Sequence, residues 1–341
     1  MYEKKENYLE KILQQVTSLY DLKNYEFSLV PDHEGGRNRI FICTENGEKK
    51  RVLRLSAFGD RSLEDYLAET EFVHYLAENG APVADVIPSV NGNLVETVTE
   101  DGQQVFACLF EFAKGMLLCD NGYKYREGAL LEEYFYNVGK TLGILHRLSK
   151  AYKPEHRRTS FFDKYNMDYI GGLIPDSYAD LKEAIARRLQ EYHELPVDEE
   201  SFGLIHFDYS DGNYNIDMET GDITVYDFDN CIYCWYMFDL AHTWFHGTGW
   251  CRFEKNSEKR MEFMKHYFDT VLEGYRTECE VSAGMLEKLP LFIDMTLVEF
   301  VVDAFECCIN EGEPLDYEDI EFEARCLIND IPYAGVGDET W

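Results

Sequence analysis

The segment Leu204-Ile-His-Phe-Asp-Tyr-Ser-Asp-Gly-Asn-Tyr-Asn-Ile-Asp217, followed by Thr224-Val-Tyr-Asp-Phe-Asp229, decides the fold and the chemistry of this chain. A short apolar run at 202–205 predicts a strand that ends in a polar loop. A turn at 219–222 reverses the chain, and a second apolar run at 223–226 predicts the next strand. Because both predicted strands end at polar positions, we expect the side chains there to converge on one point.

Three side chains of this segment have the chemistry that phosphoryl transfer requires. Asp208 follows the first predicted strand, Asn213 lies five residues later, and Asp227 follows the second predicted strand. Carboxylate and carboxamide oxygens bind Mg²⁺ on a nucleotide, and a further carboxylate orients a substrate hydroxyl. The pattern therefore favours phosphoryl transfer over a loop of surface polar residues.

The spacing His-x-Asp-x4-Asn, with Asp-Phe-Asp fourteen residues after the Asn, resembles the aminoglycoside phosphotransferase and choline kinase family. The resemblance implies an α+β, two-lobed protein-kinase-like fold, with a small β-rich N-terminal lobe and a larger helical C-terminal lobe. It also implies that Asp208 is the catalytic base and that Asn213 and Asp227 are the metal ligands. Supporting roles in holding the loops fall to His206, Asp229 and Asp239.

The chain departs from the family pattern at two places in the loop. Phe207 stands where the family usually has Gly, and Tyr209-Ser-Asp211 stands where Leu-His-Pro is common. These departures leave the implied metal ligands intact, but they do not define the subfamily.

Two other interpretations of the segment lack features that they require. Acidic and amide residues alternate as in a calcium loop, but Ile216 occupies the position of the required Gly and Asp222 that of the required Glu. An iron site built from His206, Asp208 and a distal His242 or His246 would need a strand-rich barrel, and helical patterns follow instead.

The N-terminal part is predicted to begin with an amphipathic helix at 3–20, followed by three strands at 25–30, 39–43 and 50–55. Gly35 and Gly36 lie between the first two strands. A glycine pair there lets backbone amides approach phosphate oxygens, although it also serves simply to turn the chain.

Arg54 lies in the third predicted strand, on the opposite face from the leucines that flank it. The resemblance implies that Arg54 reaches the α- and β-phosphates of the nucleotide. The helix predicted at 62–79 carries Glu69 and Glu71, and the family pattern favours Glu69 as the partner of Arg54. For each glutamate, a solvated position on the helix surface remains an equal alternative.

Further strands are predicted at 83–88, 94–99 and 104–112, and a crossing segment between lobes at about 109–116. The resemblance implies that backbone groups from Glu111 to Ala113 bind the edge of the nucleotide base. The expected division of the chain is a nucleotide-binding lobe at 1–110 and a catalytic, acceptor-binding lobe at 111–341.

The C-terminal part is dominated by helical patterns, predicted at 134–148, 181–195, 258–275, 282–305 and 317–331. In the first of these helices, Gly139 and Gly143 permit close packing against a neighbour. His146 in the same helix is interpreted as a packing residue rather than a catalyst.

The charge of the chain bears on its partners. Its 65 acidic and 32 basic residues give a formal net charge of −33, which repels nucleic acid and anionic lipid. The same charge favours a cationic acceptor, although it also serves solubility alone. No apolar run is long enough to span a membrane, and ten scattered cysteines without a secretory signal predict reduced thiols and a cytoplasmic protein.

These observations predict a kinase that transfers the γ-phosphoryl group of ATP or GTP, with Mg²⁺, to a hydroxyl of a small cationic molecule. Aminoglycosides, choline or ethanolamine, and homoserine-like metabolites are the candidate acceptors. The alternative is a catalytically silent nucleotide-binding module on the same fold. Candidate acceptor-binding acids are Asp239, Glu299, Asp303, Glu306, Glu311 and Glu313, and candidate aromatics are Trp235, Tyr236, Trp244, Phe245 and Trp250.

Overall fold

A five-stranded antiparallel sheet forms the N-terminal region. The computed structural model describes residues 2–31, 38–56, 61–312 and 315–336, with side chains from residue 8 onward except at 311. The strand order is β1-β2-β3-β5-β4. The strands are β1 (Glu26–Leu29), β2 (Asn38–Glu45), β3 (Glu48–Ser56), β4 (Glu96–Glu100) and β5 (Gln103–Glu111).

The two faces of this sheet bury different helices because side chains alternate along each strand. Helix α1 (Tyr2–Leu19) packs Ile12 and Val16 against the face that contains Leu53 and Leu55. Helix α2 (Leu63–Glu78) covers the other face, where Arg54 pairs with Cys108 in the strand register. The alternation therefore directs Arg54 toward α2.

Helix α2 begins with local interactions that its sequence provides. The Ser62 hydroxyl accepts the backbone N–H of Asp65, and the Asp65 carboxylate accepts the N–H of Ser62 at 2.9 Å. This capping box satisfies two backbone donors that a helix end would otherwise leave free. It fixes the start of the helix that carries Glu69.

The C-terminal region consists mainly of helices, with two short antiparallel strand pairs, β6 with β9 and β7 with β8. The strands are β6 (Phe202–Ile205), β7 (Tyr214–Ile216), β8 (Ile223–Val225) and β9 (Ile232–Trp235). The helices are α3 (Leu131–Ala151), α4 (Phe161–Lys164), α5 (Met167–Leu173), α6 (Ala179–His193), α7 (Tyr236–Gly247), α8 (Ser257–Arg276), α9 (Ala283–Leu286), α10 (Leu289–Glu311) and α11 (Glu321–Asn329).

Helices α3 and α8 approach each other through glycine. A Cβ added at Gly139 would overlap the carbonyl of Val271, and one added at Gly274 would overlap the carbonyl of Tyr136. The backbones are thus in contact where a side chain would have separated them. The close packing predicted for α3 has α8 as its partner.

Two predicted elements differ in the structure. Residues 83–88 form no strand, because Val83 bridges to Val225 of β8 while Val86 bridges to Phe110 of β5. The helix predicted at 282–305 is divided into α9 and α10. Pro290, which has no N–H to donate, lies in the first turn of α10, where helices tolerate proline.

Within the described ranges, no helix is both long and apolar enough to cross a membrane. All ten cysteines lie in those ranges, and none of them forms a disulfide there.

Candidate active site

Strand β6 leads directly into the loop that carries His206, Phe207 and Asp208. The Asp239 carboxylate of α7 holds this loop, accepting the His206 N–H at 3.1 Å and the Phe207 N–H at 2.9 Å. His146 of α3 also contacts Asp239, with 3.1 Å between its Nε2 and Oδ2. Asp239 is fully buried, so these contacts replace the water that its charge would otherwise need.

Phe207 adopts a left-handed backbone conformation, with φ of 72°. A side chain in this conformation is disfavoured, which explains why glycine suits the position. The Phe207 ring stacks on Phe238 of α7, with centroids 4.5 Å apart and an interplanar angle of 6°. The stacking on Phe238 compensates for the unfavourable backbone conformation, which glycine would adopt without cost.

Asn213 and Asp227 are brought next to Asp208 by hydrogen bonds. The Asn213 Nδ2 donates to the Asp208 carbonyl at 2.8 Å, which leaves its Oδ1 available to a cation. His206 contacts the Tyr226 carbonyl through Nε2 at 3.0 Å, immediately before Asp227. His206 therefore links the two loops through the backbone, and its other ring nitrogen is buried without a partner among the described residues.

Asp227 opens into the cleft in a left-handed conformation, with φ of 61°. Its side chain is exposed, but closely surrounding protein removes part of its hydration. This desolvation and then the neighbouring Asp229 raise the pKa of Asp227 to about 6, although Arg54 opposes the rise. A bound cation would relieve this crowding of negative charge. The oxygen donors of Asp227 and Asn213 fit a divalent ion such as Mg²⁺.

Arg54 and Glu69 form a buried bidentate ion pair. The two contacts measure 2.8 Å from Nη1 to Oε1 and 2.7 Å from Nη2 to Oε2. Glu71 instead accepts the backbone N–H groups of Glu155 and His156. The structure thus pairs Arg54 with Glu69, and it leaves the Arg54 Nε without a partner among the described side chains.

Two arginines that sequence reasoning did not identify fix Asp229. Arg61 contacts its carboxylate at 2.5 Å and also its carbonyl, and Arg158 donates to the same carbonyl at 2.7 Å. Arg158 also donates to the Cys231 carbonyl at 2.7 Å. The separation of these residues along the chain gives no local signal for the contacts, which position the segment after Asp227.

A cavity of about 690 Å³ lies between the sheet and the C-terminal region. Arg54, Glu69 and Asp227 form its polar end, and its other walls are mostly apolar. The apolar wall includes Val30, Ile40, Ile42, Val52, Val73, Ala84, Phe110, Met116 and Leu117. A flat aromatic base with a phosphate chain matches this division into apolar and charged ends.

The segment after β5 also lines the cavity. The N–H of Glu111 donates to the Asp85 carbonyl at 2.8 Å, and the Asn215 Nδ2 donates to the Ala113 carbonyl at 2.9 Å. The N–H of Ala113 has no backbone acceptor among the described residues. It is therefore a free donor beside the apolar wall. Gly35 and Gly36, predicted to approach phosphate, lie outside the described residues.

Asp208 is flanked on its other side by acidic and histidine side chains. The pKa of Glu299 is raised well above its usual range by burial and then by Asp303 and Asp208. Lys164 contacts Asp303 at 2.9 Å and Glu306 at 3.2 Å, so part of this charge is paired. Glu311 and Glu313 have no described side chains.

Several residues predicted for acceptor binding have other positions. Asp239 is the buried support of the catalytic loop, and Trp235, Tyr236 and Trp244 are core residues with at most 4% of their surface exposed. The prediction relied on proximity to the loop in sequence, whereas Trp235 at the end of β9 and Tyr236 and Trp244 of α7 are buried in the core. Phe245 and Trp250 are half-buried.

Comparisons with known proteins bear on the family and the fold of this chain. Residues 28–276 match the model of the phosphotransferase enzyme family. Amicoumacin kinase from Bacillus subtilis (strain 168) is 25% identical over 290 residues, covering 83% of this chain and 81% of that protein. Among solved structures, the amicoumacin kinase hAmiN in complex with AMP-PNP, Ca²⁺ and Ami has a TM-score of 0.80 at 20% identity, covering 97% of both chains. The microcompartment-associated aminopropanol kinase has a TM-score of 0.69 at 19% identity, covering 95% of this chain and 99% of that one.

The family match spans well over half of the sequence, so the chain belongs to the phosphotransferase enzyme family. The predicted two-lobed kinase-like fold and the predicted enzyme class are confirmed.

Proposed function

We propose that this phosphotransferase transfers the γ-phosphoryl group of ATP or GTP, with Mg²⁺, to a hydroxyl of a small cationic acceptor. The observation that carries the proposal is that Asp227 lines the polar end of the 690 Å³ cavity beside the loop of Asp208 and Asn213. The Asn213 side chain donates to the Asp208 carbonyl, and the Asp208 carboxylate is near enough to Asp227 to help raise its pKa. The lobes are proposed to divide the work, with residues 1–110 binding the nucleotide and 111–341 carrying catalysis and the acceptor site.

The nucleotide would lie along the cavity from its apolar wall to Arg54. The N–H of Ala113 and the backbone of Glu111, both beside the apolar wall, would bind the edge of the base. Arg54 would neutralise phosphate charge through the N–H groups that Glu69 does not occupy, and Glu69 holds the guanidinium in place. Mg²⁺ bound by Asn213 and Asp227 would supply charge neutralisation on the phosphates.

Asp208 would accept a hydrogen bond from the acceptor hydroxyl and then take its proton. Its position is set by the Asn213 bond to its carbonyl and by the Asp239 bonds to the two preceding amides. A cationic acceptor is supported by the acids beside Asp208, since Asp303 and Glu306 share the single ammonium group of Lys164. Asp303 and Asp208 also raise the pKa of Glu299, and a bound cation would relieve this crowding of acidic groups.

The proposal is tested by turnover of Mg-ATP and Mg-GTP on a panel of hydroxyl compounds, with three variants. Asp208→Asn and Asp227→Ala should each reduce kcat by orders of magnitude, because they remove the proton acceptor and a metal ligand. Glu219→Gln, an exposed carboxylate on the β7–β8 turn, is the matched control and should retain activity. Activity of Asp227→Ala within about tenfold of the wild type would contradict the assigned metal ligand. Nucleotide stabilisation without turnover on any acceptor would instead indicate a catalytically silent module.

A further inference from the structure

Asp208 has two histidine neighbours that the proposed phosphoryl transfer does not use. One carboxylate oxygen of Asp208 and one ring nitrogen from each of His242 and His246 all lie within 4.8 Å of one another. Asp208 is half-buried, His242 is buried and His246 is exposed, so the group is open to solvent on one side.

The two histidines are held together by their helix. They lie four residues apart on α7, which places both rings on one face, and their ring centroids are 4.5 Å apart. Phe238 stacks on the His242 ring at 5.9 Å, and the buried Nδ1 of His242 has no hydrogen-bond partner in the described part of the chain. A buried nitrogen without a hydrogen-bond partner is costly unless a ligand binds it.

We propose that Asp208, His242 and His246 bind a transition-metal ion of the zinc class, and that this ion inhibits the enzyme by occupying the Asp208 carboxylate. Two imidazole nitrogens and one carboxylate are a donor set for Zn²⁺, Co²⁺ or Ni²⁺, whereas Mg²⁺ prefers oxygen donors. The inhibition rests on the proposed function of Asp208, but the metal binding does not.

The geometry needs only a small adjustment. Bonds of about 2.0–2.2 Å to one ion require neighbouring ligand atoms roughly 3–3.5 Å apart. Since no two of the three atoms are more than 4.8 Å apart, each separation must close by at most about 1.3–1.8 Å. The exposed His246 and the half-buried Asp208 can rotate, while the stacked His242 provides the fixed ligand. Three protein ligands leave an open coordination position for water.

Binding is tested with Co²⁺ titrated into the full-length protein, without a histidine tag, in the absence of nucleotide. We expect one equivalent of Co²⁺ to bind with a visible absorption band but without a thiolate charge-transfer band, which separates this site from the ten cysteines. His246→Ala should weaken binding at least about tenfold. The matched control His266→Ala, an exposed histidine on α8, should bind like the wild type.

Inhibition is measured separately, as turnover of Mg-ATP at increasing Zn²⁺ concentrations. The rate of each variant is divided by its own rate without added Zn²⁺. We expect the wild type and His266→Ala to lose activity over the concentration range in which the ion binds, and a chelator selective for zinc over magnesium to restore it. His246→Ala should require at least about tenfold more Zn²⁺ for the same loss of activity.

Co²⁺ binding that is absent, or equal in the wild type and His246→Ala, would overturn the proposed metal site. Binding at this site that leaves turnover unchanged would overturn the inhibition, and a protein without turnover on any acceptor would overturn the proposed function while the Co²⁺ result still stands.

Discussion

At the scale of single residues, Phe207 shows how a departure from a family pattern is compensated. A non-glycine residue in the left-handed region costs roughly 1–3 kcal/mol. The ring is buried against Phe238, and burying a phenylalanine contributes more than that cost, since its removal typically costs about 3–5 kcal/mol. Packing therefore outweighs backbone strain, and a bulky residue persists where glycine is usual.

Substitutions at Phe207 should separate these two contributions. We expect Phe207→Ala to destabilise the protein by about 3–5 kcal/mol, and Phe207→Gly by about 1 kcal/mol less, because glycine adopts the observed φ without steric cost. The measurement is the urea midpoint of each variant. Phe238, the stacking partner of Phe207, is the control position. It lies within α7, so Phe238→Gly should destabilise the protein more than Phe238→Ala. If the alanine variant is more stable than the glycine variant at both positions, the backbone at Phe207 is not strained.

The raised pKa of Asp227 makes stability depend on pH. Its pKa rises from an ordinary 3.8 to about 6 in the folded protein, so the folded state binds the proton more tightly than the unfolded state. Asp227 therefore favours folding below pH about 4, and this contribution is lost as pH rises through about 6.

Asp227→Asn should remove that dependence. Without metal and nucleotide, the variant should melt at a higher temperature than the wild type at pH 8, and the difference should shrink as pH falls toward 4. Melting curves at several pH values measure it, and Mg-ATP should stabilise the wild type more than the variant. A difference that stays constant with pH would show that Asp227 is not crowded by negative charge.

At the scale of elements, the contact between α3 and α8 depends on the absence of side chains. A Cβ at Gly139 would overlap the Val271 carbonyl, and the backbone of α8 cannot yield without moving its whole contact with α3. We expect Gly139→Ala to destabilise the protein by about 1–3 kcal/mol despite the better helix propensity of alanine.

Gly171→Ala is the matched control for this prediction. Gly171 lies in α5, and a Cβ there would meet nothing within 4 Å. Alanine at this position should be neutral or stabilise by up to about 1 kcal/mol. Thermal unfolding of both variants makes the comparison, and equal stability of Gly139→Ala and the wild type would mean that the two helices can separate at little cost.

Elements with a strong local pattern were predictable, and elements defined by long-range partners were not. The strand containing Arg54 and the helix containing Glu69 follow from alternation and capping in the sequence. Residues 83–88 have the composition of a strand, but their bridges go to β8 and β5 in turn, and no local pattern encodes that exchange of partners.

At the scale of the whole molecule, spacing in the sequence predicted which residues lie together at the cleft. The side chains that hold their loops in place come from distant parts of the sequence. Asp208, Asn213 and Asp227 lie within twenty residues of one another, and hydrogen bonds connect their loops. Arg61 and Arg158 reach the same place from other parts of the chain, which only the folded structure reveals. The choice between Glu69 and Glu71 likewise required the direction of each side chain from α2.

The net charge of −33 belongs to the whole molecule, and it should act on the acceptor through ionic strength. A cationic acceptor is attracted by the summed field, and by Asp303 and Glu306 on the same side of Asp208, until salt screens the attraction. We therefore expect the KM for such an acceptor to rise roughly two- to fivefold between low and high salt, with little change in kcat.

The steady-state assay is run with saturating Mg-nucleotide at two concentrations of an inert salt, for the wild type and two variants. Glu306→Gln removes a charge on the acceptor side of Asp208 and should raise the KM at low salt, reducing the salt effect. Glu199→Gln removes an exposed charge in the loop before β6, so its KM should follow that of the wild type. Since both variants change the net charge equally, a difference between them assigns the attraction to the acids beside Asp208. A best substrate that is neutral or anionic, or a KM independent of salt, would show that the charge of the molecule does not select its acceptor.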